Sequence, residues 1–157
     1  MKIIACLFLF LNLSFSLAIG QEIIHIQNFF ESGEIKSEGY LLGDSKTDYW
    51  KYYYRNGQML KEGRYSEGKQ SKYWFYFRMD GTKIMEGHFS EGRKTNWWIF
   101  YNSNNQILKK CEFKDDLLSG YCLYYDNGEI AKAERYNMGV KEGEWTDMKS
   151  FKRDHKQ

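Results

Sequence analysis

The chain has 157 residues, with 23 basic and 21 acidic side chains that give a formal net charge of +2. Charges of both signs are spread along the whole chain, so it lacks the concentrated basic field that nucleic-acid binding needs. Aromatic residues make up 18% of the sequence and proline is absent, which means that a core must be built largely from aromatic rings.

The start of the chain has the layout of a secretory signal peptide. Lys2 precedes an apolar stretch from Ile3 to Leu17, and small residues follow just before Gln21. A short apolar run between a basic start and a small-residue cleavage site is typical of an export signal. An uncleaved signal anchor is the alternative, but the run is shorter than the about 20 apolar residues of a membrane-spanning helix. We predict a signal peptide at residues 1–20 and a secreted or periplasmic product.

The rest of the chain repeats with a period of about 24 residues. Residues 22–30, EIIHIQNFF, come first and predict an entry strand that caps the array. Beyond them, turn residues recur at one offset: Gly33, Gly57, Gly81, Asn105 and Gly128. The same spacing forms a column of Trp50, Trp74, Trp98, Cys122 and Trp145. Independent columns with one period predict five tandem units within a domain over residues 21–148.

Each unit predicts a β-hairpin. The aromatic segment YWKYYY, from Tyr49 to Tyr54, is followed by Asn56 and Gly57, and both of these turn residues tolerate a positive φ. A second short turn, at 66–69, returns the chain to the next aromatic segment. Connections this short make neighbouring strands antiparallel. The sequence therefore predicts an all-β protein, a single elongated antiparallel β-meander of roughly nine or ten strands with almost no helix and a polar, frayed tail at residues 149–157.

Both faces of the predicted sheet carry aromatic rings. Side chains alternate across a strand, so the face opposite the tryptophan column holds Lys51 and Tyr53 and their equivalents in later units. A single layer leaves such a face without a second layer to cover it. In one interpretation the stacked rings serve as the core of the sheet, and in another, compatible with the first, this face docks a partner. The candidate binding residues are Tyr53, Phe77, Tyr101, Tyr125, Lys51 and Phe75.

The repeat unit resembles the variant MORN repeat. The segments WKYYYRNGQMLKEGRYSEG and WFYFRMDGTKIMEGHFSEG, which begin at Trp50 and Trp74, follow the pattern W-x-Y-Y-x-x-N-G-x-x-x-x-E-G-x-Y-x-x-G with conservative changes. The resemblance runs from about Phe29 to Trp145 and implies an array of β-hairpins. Three glycine positions of the pattern are replaced, by Asn105, Cys111 and Glu134.

The resemblance also implies a binding role. Bacterial proteins of this repeat type are commonly labelled as YwqK-type antitoxins of toxin–antitoxin systems, and other MORN arrays resemble scaffolds for proteins or anionic lipids. A signal peptide argues against a classical antitoxin, whose toxin acts in the cytoplasm. The antitoxin-like label is therefore an expectation of family membership rather than of activity.

The sequence contains no pattern typical of an enzyme. The three histidines, His25, His88 and His155, lie far apart, and no two have the spacing of metal ligands. Neither a G-x-S-x-G nucleophile motif nor a phosphate-binding glycine loop occurs. We predict no catalytic residues, no metal site, no cofactor and no nucleic-acid partner.

Two cysteines of the predicted mature chain replace residues of the repeat. Cys111 stands where other units have a glycine, and Cys122 stands in the tryptophan column. In the predicted hairpin they lie opposite each other or one register step apart, and an exported protein meets conditions that permit disulfides. A cross-strand disulfide and a pair of buried free thiols are the two alternatives.

Two functions are consistent with these patterns. The first is a protein-binding scaffold, whose aromatic face docks another exported or envelope protein through rings flanked by charged side chains. The second is a carbohydrate or cell-wall binding module, because W-x-Y-Y-x-x-x-G also resembles repeats that stack aromatic rings on sugars or cations. The second half of the unit, EGRYSEG at 62–68, favours the first function. Contact with a membrane surface and pairing of open sheet edges into a homodimer are further alternatives.

Overall fold

A computed structural model describes residues 22–154, and these form one antiparallel sheet. Its eleven strands follow one another in chain order. Their bounds are β1 Ile23–Phe29, β2 Ile35–Leu42, β3 Ser45–Tyr53, β4 Met59–Ser66, β5 Lys69–Phe77, β6 Lys83–Ser90, β7 Arg93–Tyr101, β8 Ile107–Lys114, β9 Leu117–Asp126, β10 Glu129–Asn137 and β11 Val140–Trp145. The predicted all-β meander is confirmed, with more strands than the sequence indicated. The predicted signal peptide lies outside the described residues.

Two kinds of tight turn alternate between the strands. After β3 a short loop closes with Gly57 at φ 81°, and the Gly57 amide donates to the Tyr54 carbonyl at 3.0 Å. Asn56 also tolerates a positive φ, but only Gly57 of the two adopts one. After β4, Glu67 and Gly68 both have positive φ, 51° and 76°, as in the mirror-image turns that match the twist of a two-residue hairpin. The alternating turns set the strand register of each unit.

A β-bulge before each column tryptophan decides which face the ring occupies. Trp74 of β5 pairs with Gly63, whereas Ser71 pairs with the next residue, Arg64, so two residues of β5 bulge out of the ladder. One of them, Lys72, has a φ of 58°. The equivalent residues of β3, β7 and β9 also have positive φ: Asp48, Asn96 and Gly120. Because an insertion of two residues preserves the alternation of side chains, the tryptophans stay on one face.

The core of the sheet is a row of rings on one face, which we call the Trp face and which carries Trp50, Trp74 and Trp98. Each of these side chains is 0% exposed. Each ring lies directly over the glycine of the preceding strand, and a Cβ built on Gly63 would stand 2.3 Å from the ring of Trp74. The indole N–H of Trp74 donates to the Arg64 carbonyl at 3.0 Å. The missing glycine side chain thus makes the space in which a single layer buries a large ring.

Neighbouring aromatic rings pack against these tryptophans. Tyr65 meets Trp74 edge-on, with ring centroids 5.1 Å apart and an interplanar angle of 89°. Phe89, one unit later, meets Trp98 in the same way at 5.0 Å and 87°. Edge-to-face contacts of this kind stabilise aromatic pairs beyond the burial of their area. The Trp face therefore acts as the core that the sheet needs in the absence of a second layer.

In the fourth unit a cysteine pair takes the place of the glycine and tryptophan. Cys111 of β8 lies directly opposite Cys122 of β9. Their Cα atoms are 4.0 Å apart and their sulfur atoms are at bonding distance. Both side chains are 1% exposed. The arrangement favours the disulfide over two free thiols, and the sulfur pair fills the layer that an indole ring fills in the other units.

The prediction that Trp145 continues the tryptophan column is wrong. Trp145 pairs with Ala133, which pairs on its other side with Leu123, so its ring lies on the opposite face. The bulge between β10 and β11 contains one extra residue instead of two, and this reverses the alternation of side chains. Glu134 gives the physical reason. It has a side chain where the other units have a glycine, and that side chain occupies the Trp face where a ring would otherwise lie.

The end of the chain differs from the frayed tail that the sequence indicated. Residues Met148–Asp154 form a short helix, α1, and the Asp147 side chain accepts the Lys149 amide at 3.0 Å before its first turn. The Phe151 ring lies 5.5 Å from that of Trp145 and 5.6 Å from that of Tyr121. Aromatic packing thus holds α1 against the last strands. Within residues 22–154 no helix is long and apolar enough to span a membrane.

Candidate functional site

The face opposite the Trp face, which we call the open face, carries all six residues proposed from the sequence. The strand register aligns Lys51 with Glu62, and Phe75 with both Glu62 and Glu86. Each of the six side chains is partly exposed. Among the described residues, Ala133 is the one fully buried hydrophobic side chain on this face. The open face is therefore a surface lined with rings rather than a closed core.

Two of the proposed tyrosines hold carboxylates on the open face. The Tyr53 hydroxyl donates to Glu38 at 2.6 Å, and the Tyr101 hydroxyl donates to Glu86 at 2.7 Å. Glu86 is 7% exposed and also accepts a hydrogen bond from Lys83 at 2.6 Å. The hydrogen bond from Tyr53 lowers the pKa of Glu38, while burial and the same bond raise the pKa of Tyr53. These two tyrosines tie neighbouring units together.

The central part of the open face is a bed of phenyl rings. Phe75 and Phe77 stack with ring centroids 6.4 Å apart and an interplanar angle of 22°. Tyr73 lies 5.0 Å from Phe75 on the same strand. The Lys83 ammonium lies 5.3 Å from the centroid of Phe75. This bed joins the tyrosine–carboxylate pairs on either side of it into one continuous surface.

An apolar groove of about 330 Å³ opens on the open face at β7, β8 and β9. Its lining residues are Trp97, Ile99, Lys110, Leu123 and Tyr125. Trp97 is 39% exposed, although large aromatic side chains are usually well buried. The Lys110 ammonium lies 5.6 Å from the centroid of the Tyr125 ring. Of the six residues proposed from the sequence, Tyr125 alone lines this groove.

A buried carboxylate ends the core on the Trp face. Glu134 is 5% exposed. It accepts hydrogen bonds from the hydroxyls of Tyr124 and Tyr136, at 2.7 and 2.9 Å, and from the ammonium groups of Lys132 and Lys141, both at 3.0 Å. Burial by itself raises the pKa of Glu134, but these four hydrogen bonds outweigh it and lower the pKa to about 2. Glu134 is therefore ionised and fully bonded in the folded protein.

Replacing Glu134 by glutamine is expected to lower the free energy of unfolding by about 2 kcal/mol near neutral pH, because it removes a charged acceptor of buried hydrogen bonds. The folded pKa lies below the ordinary value of 4.5. The contribution of Glu134 is thus fully present above that value and is lost as the pH falls toward 2. Urea unfolding at about pH 7 and about pH 3 measures the free energy of unfolding. Acidification should lower it less for Glu134→Gln than for the parent protein.

The control for this prediction is Glu129→Gln, an exposed change on the same strand. The role assigned to Glu134 would be contradicted if the free energy of unfolding had the same pH dependence in Glu134→Gln as in the parent protein.

The two histidines within the described residues pack against tyrosines of the open face. His25 lies 5.1 Å from Tyr40, and His88 lies 4.7 Å from Tyr73, between ring centroids. His155 lies outside the described residues. Within residues 22–154 no group of three or more His, Cys, Asp or Glu side chains is placed to hold a metal ion.

Sequence reasoning missed the carboxylates that organise the open face. Glu38, Glu62 and Glu86 recur at the period of the repeat, immediately before the glycine on which a tryptophan lies. Because side chains alternate along a strand, a residue next to that glycine points to the open face. The sequence therefore contained the signal, since the Glu-Gly pair places a carboxylate within reach of a tyrosine on the neighbouring strand.

Comparison with known proteins adds no family name to these observations. The chain matches no protein-family model, and no curated protein matches it. The function proposed below rests on the geometry of the two faces and on the repeat pattern.

Proposed function

We propose that this protein is a non-enzymatic scaffold that binds another protein through its open face, with the groove between Trp97 and Tyr125 as the main anchor site. The observation that carries the proposal is the exposure of Trp97 beside an apolar groove. A partly exposed tryptophan in a groove rimmed by a lysine has the composition of a binding hot spot, in which a few aromatic anchors supply most of the affinity.

The different packing of the two faces supports this assignment. On the Trp face the protein's own rings fill the space, and Trp50, Trp74 and Trp98 have no exposed surface. On the open face the rings at the groove remain accessible. Their backbone belongs to three neighbouring strands joined by tight turns, so little ordering is needed on binding. A rigid surface with accessible rings is suited to docking a folded partner.

The repeat pattern and the predicted signal peptide are the basis for proposing where the protein acts and which class of partner it binds. The chain is a MORN-like array that acts outside the cytoplasm, and its partner is an exported or envelope protein. The antitoxin label of similar bacterial repeat proteins fits this proposal only as a general capacity to bind proteins. No cofactor is needed for such a role.

A glycan-binding function is the second candidate. The specific observation in its favour is the size of the groove, about 330 Å³, with Trp97 and Tyr125 in its lining. Exposed rings can stack on the apolar face of a sugar as well as on a protein side chain. The two candidates differ in what the groove retains from an envelope extract.

The test is a capture experiment with the purified protein and envelope extract. A variant carrying Trp97→Ser and Tyr125→Ser should lose the captured partner protein, with binding weakened at least about tenfold, because both anchors are removed. Leu42→Ser with Met138→Ser is the matched control, since these changes also remove two exposed apolar side chains but lie away from the groove. Circular dichroism confirms that each variant is folded.

Each result of the capture experiment has a defined meaning. Loss of a partner protein in the groove variant, with retention in the control, supports the scaffold. Retention of the same protein by the folded groove variant contradicts the assignment of the groove. Recovery of glycan alone, again lost in the groove variant, would replace the scaffold by the glycan-binding function.

A further inference from the structure

Four lysines on the Trp face lie over the aromatic core rather than extending into solvent. They belong to two pairs of neighbouring strands that are separated by β5 and β6: Lys46 on β3 with Lys61 on β4, and Lys94 on β7 with Lys109 on β8. Their side chains are all partly buried. Long lysine side chains can cover apolar surface with their methylene groups while the ammonium group stays accessible. The four lysines thus form the outer layer of the Trp face.

The first pair shares one tyrosine ring. The ammonium groups of Lys46 and Lys61 lie 5.2 and 4.7 Å from the centroid of Tyr52. Lys46 also donates a hydrogen bond to the Tyr52 hydroxyl at 2.9 Å, and its ammonium lies 4.4 Å from the Trp50 ring. Burial lowers the pKa of Lys46, and the nearby charge of Lys61 lowers it further. Two positive charges are therefore held close together over the aromatic rings of the Trp face.

The second pair stands at the equivalent positions two units later, with each lysine over rings of its own. Lys94 and Lys109 each follow their counterparts by 48 residues. The Lys94 ammonium lies 4.6 Å from the Trp98 ring, and the Lys109 ammonium lies 5.0 Å from the Phe100 ring. Burial lowers the pKa of Lys94 as well. The two pairs are four strands apart, or about 19 Å at the usual spacing of strands in a sheet.

None of these four ammonium groups forms a direct ion pair within the described part of the chain, although the nearby carboxylate of Asp116 partly offsets the effect of burial on the pKa of Lys94. Ion pairs do occur there for other lysines, including Lys83 with Glu86, and Lys132 and Lys141 with Glu134. Buried or half-buried charges are normally paired. Positive charges that lack a directly bonded carboxylate and recur at fixed positions in a rigid surface therefore form a site suited to an anionic ligand.

We propose that the Trp face binds an extended acidic peptide segment of a partner protein, with one acidic cluster at Lys46 and Lys61 and a second at Lys94 and Lys109. The intervening unit has Gln70 and Met85 at the equivalent positions, so the surface between the two pairs is uncharged. An extended chain advances about 3.3 Å per residue, and about six residues span the distance between the pairs. The site lies on the face opposite the groove and does not depend on the function proposed for it.

The uncharged interval favours a peptide over other anions. A polyuronate carries a charge on every sugar, and an anionic membrane presents a uniform field, so neither matches a surface on which positive pairs alternate with Gln70 and Met85. A peptide can place its acidic residues in two clusters and lay apolar side chains over Met85 and the half-buried ring of Tyr76. Charge complementarity of this kind sets the register of binding.

The probe for the test is a fluorescein-labelled synthetic peptide with two glutamate pairs separated by four uncharged residues, together with the same peptide carrying glutamine at every glutamate. Fluorescence anisotropy measures its binding to the purified protein. We expect the glutamate peptide to bind at least about tenfold more tightly than the glutamine peptide, and added salt to weaken it. Equal binding of the two peptides would overturn the proposal.

Variants of the lysine pairs copy residues that the protein already uses. Lys46→Gln with Lys61→Met reproduces Gln70 and Met85 of the intervening unit and should preserve the fold. This double variant should lose at least about tenfold in affinity for the glutamate peptide. Lys72→Gln with Lys114→Gln removes the same net charge from exposed positions and serves as the control. A loss that is equal in the control and the lysine-pair variant would contradict a specific site.

A gain-of-binding variant gives an independent readout. Gln70→Lys with Met85→Lys joins the two positive pairs into a continuous row, and it should tighten binding of a peptide with six consecutive glutamates.

Polyuronate and vesicles of anionic phospholipid are the competing ligands. Tighter binding of either one than of the glutamate peptide at equal charge concentration would overturn the assignment to a peptide, whereas weaker binding supports it.

Discussion

Replacing Trp98 by alanine is expected to lower the free energy of unfolding by about 3 to 5 kcal/mol, the range for truncating a buried tryptophan. The Trp98 ring is 0% exposed, lies over Gly87 and meets Phe89 edge-on at 5.0 Å. Its indole N–H donates to the His88 carbonyl at 3.1 Å. The variant loses these contacts and leaves a cavity that a single-layer sheet cannot fill from a second layer.

The neighbouring residue provides a matched control for this prediction. Trp97 is adjacent in sequence, lies on the open face and is 39% exposed. Trp97→Ala should therefore lower the free energy of unfolding by about 1 kcal/mol or less. Urea unfolding followed by circular dichroism measures both variants. Equal losses for the two would contradict the division of the sheet into a Trp face that forms the core and an open face.

Breaking the pair of Cys111 and Cys122 is expected to lower the free energy of unfolding by about 3 kcal/mol. The two residues are separated by 11 positions in sequence. Closing a loop of about this size restricts the unfolded chain by roughly 3 kcal/mol in the entropic description of disulfides. Peptide mapping without reductant should recover the two cysteines in one linked fragment, and unfolding with and without reductant gives the loss of stability.

A double variant distinguishes the contribution of the disulfide bond to stability from other effects of reductant. Cys111→Ser with Cys122→Ser should unfold at the lower stability of the reduced protein and should not respond to reductant. Ser66→Ala, an exposed change at the end of β4, tests for general effects of substitution. Recovery of both cysteines as free thiols from the purified protein would contradict the disulfide and support the alternative of two buried thiols.

The repeat made the fold predictable from the sequence. A tight turn after each aromatic segment allows only an antiparallel neighbour, so glycines at one spacing determine the order of strands. The antiparallel pairing and the order of the strands rest on local geometry that every regular unit shares, and the structure confirms both. The sequence could not decide which of the two faces is buried, because both carry rings; the structure places the core on the face of Trp50, Trp74 and Trp98.

The face on which the Trp145 ring lies could not be predicted from spacing alone. It keeps the same distance from Gly128 as Trp98 does from Gly81, yet it lies on the other face. One residue fewer in a bulge reverses the alternation of side chains, and the bulge residue Lys72 gives no turn signal in the sequence. The informative residue was Glu134, because a side chain at the glycine position removes the space for a ring.

The candidate binding residues were only partly predictable. The alternation of side chains correctly placed Tyr53 and Tyr101 on the open face, but it could not show that their hydroxyls are bonded to Glu38 and Glu86. Trp97 was not among the residues proposed, although it is the most exposed ring in the groove. Exposure depends on the neighbouring side chains of three strands, and a pattern within one strand does not contain that information.

Oxidative footprinting of the complex between this protein and its captured partner shows directly whether the open face is the binding surface. We expect Trp97, Leu123 and Tyr125 to become protected on binding, while Trp50, Trp74 and Trp98 are unreactive both with and without the partner because they are buried. Protection confined to the Trp face or to the turns, with the groove residues still reactive in the complex, would contradict the assignment of the open face as the binding surface.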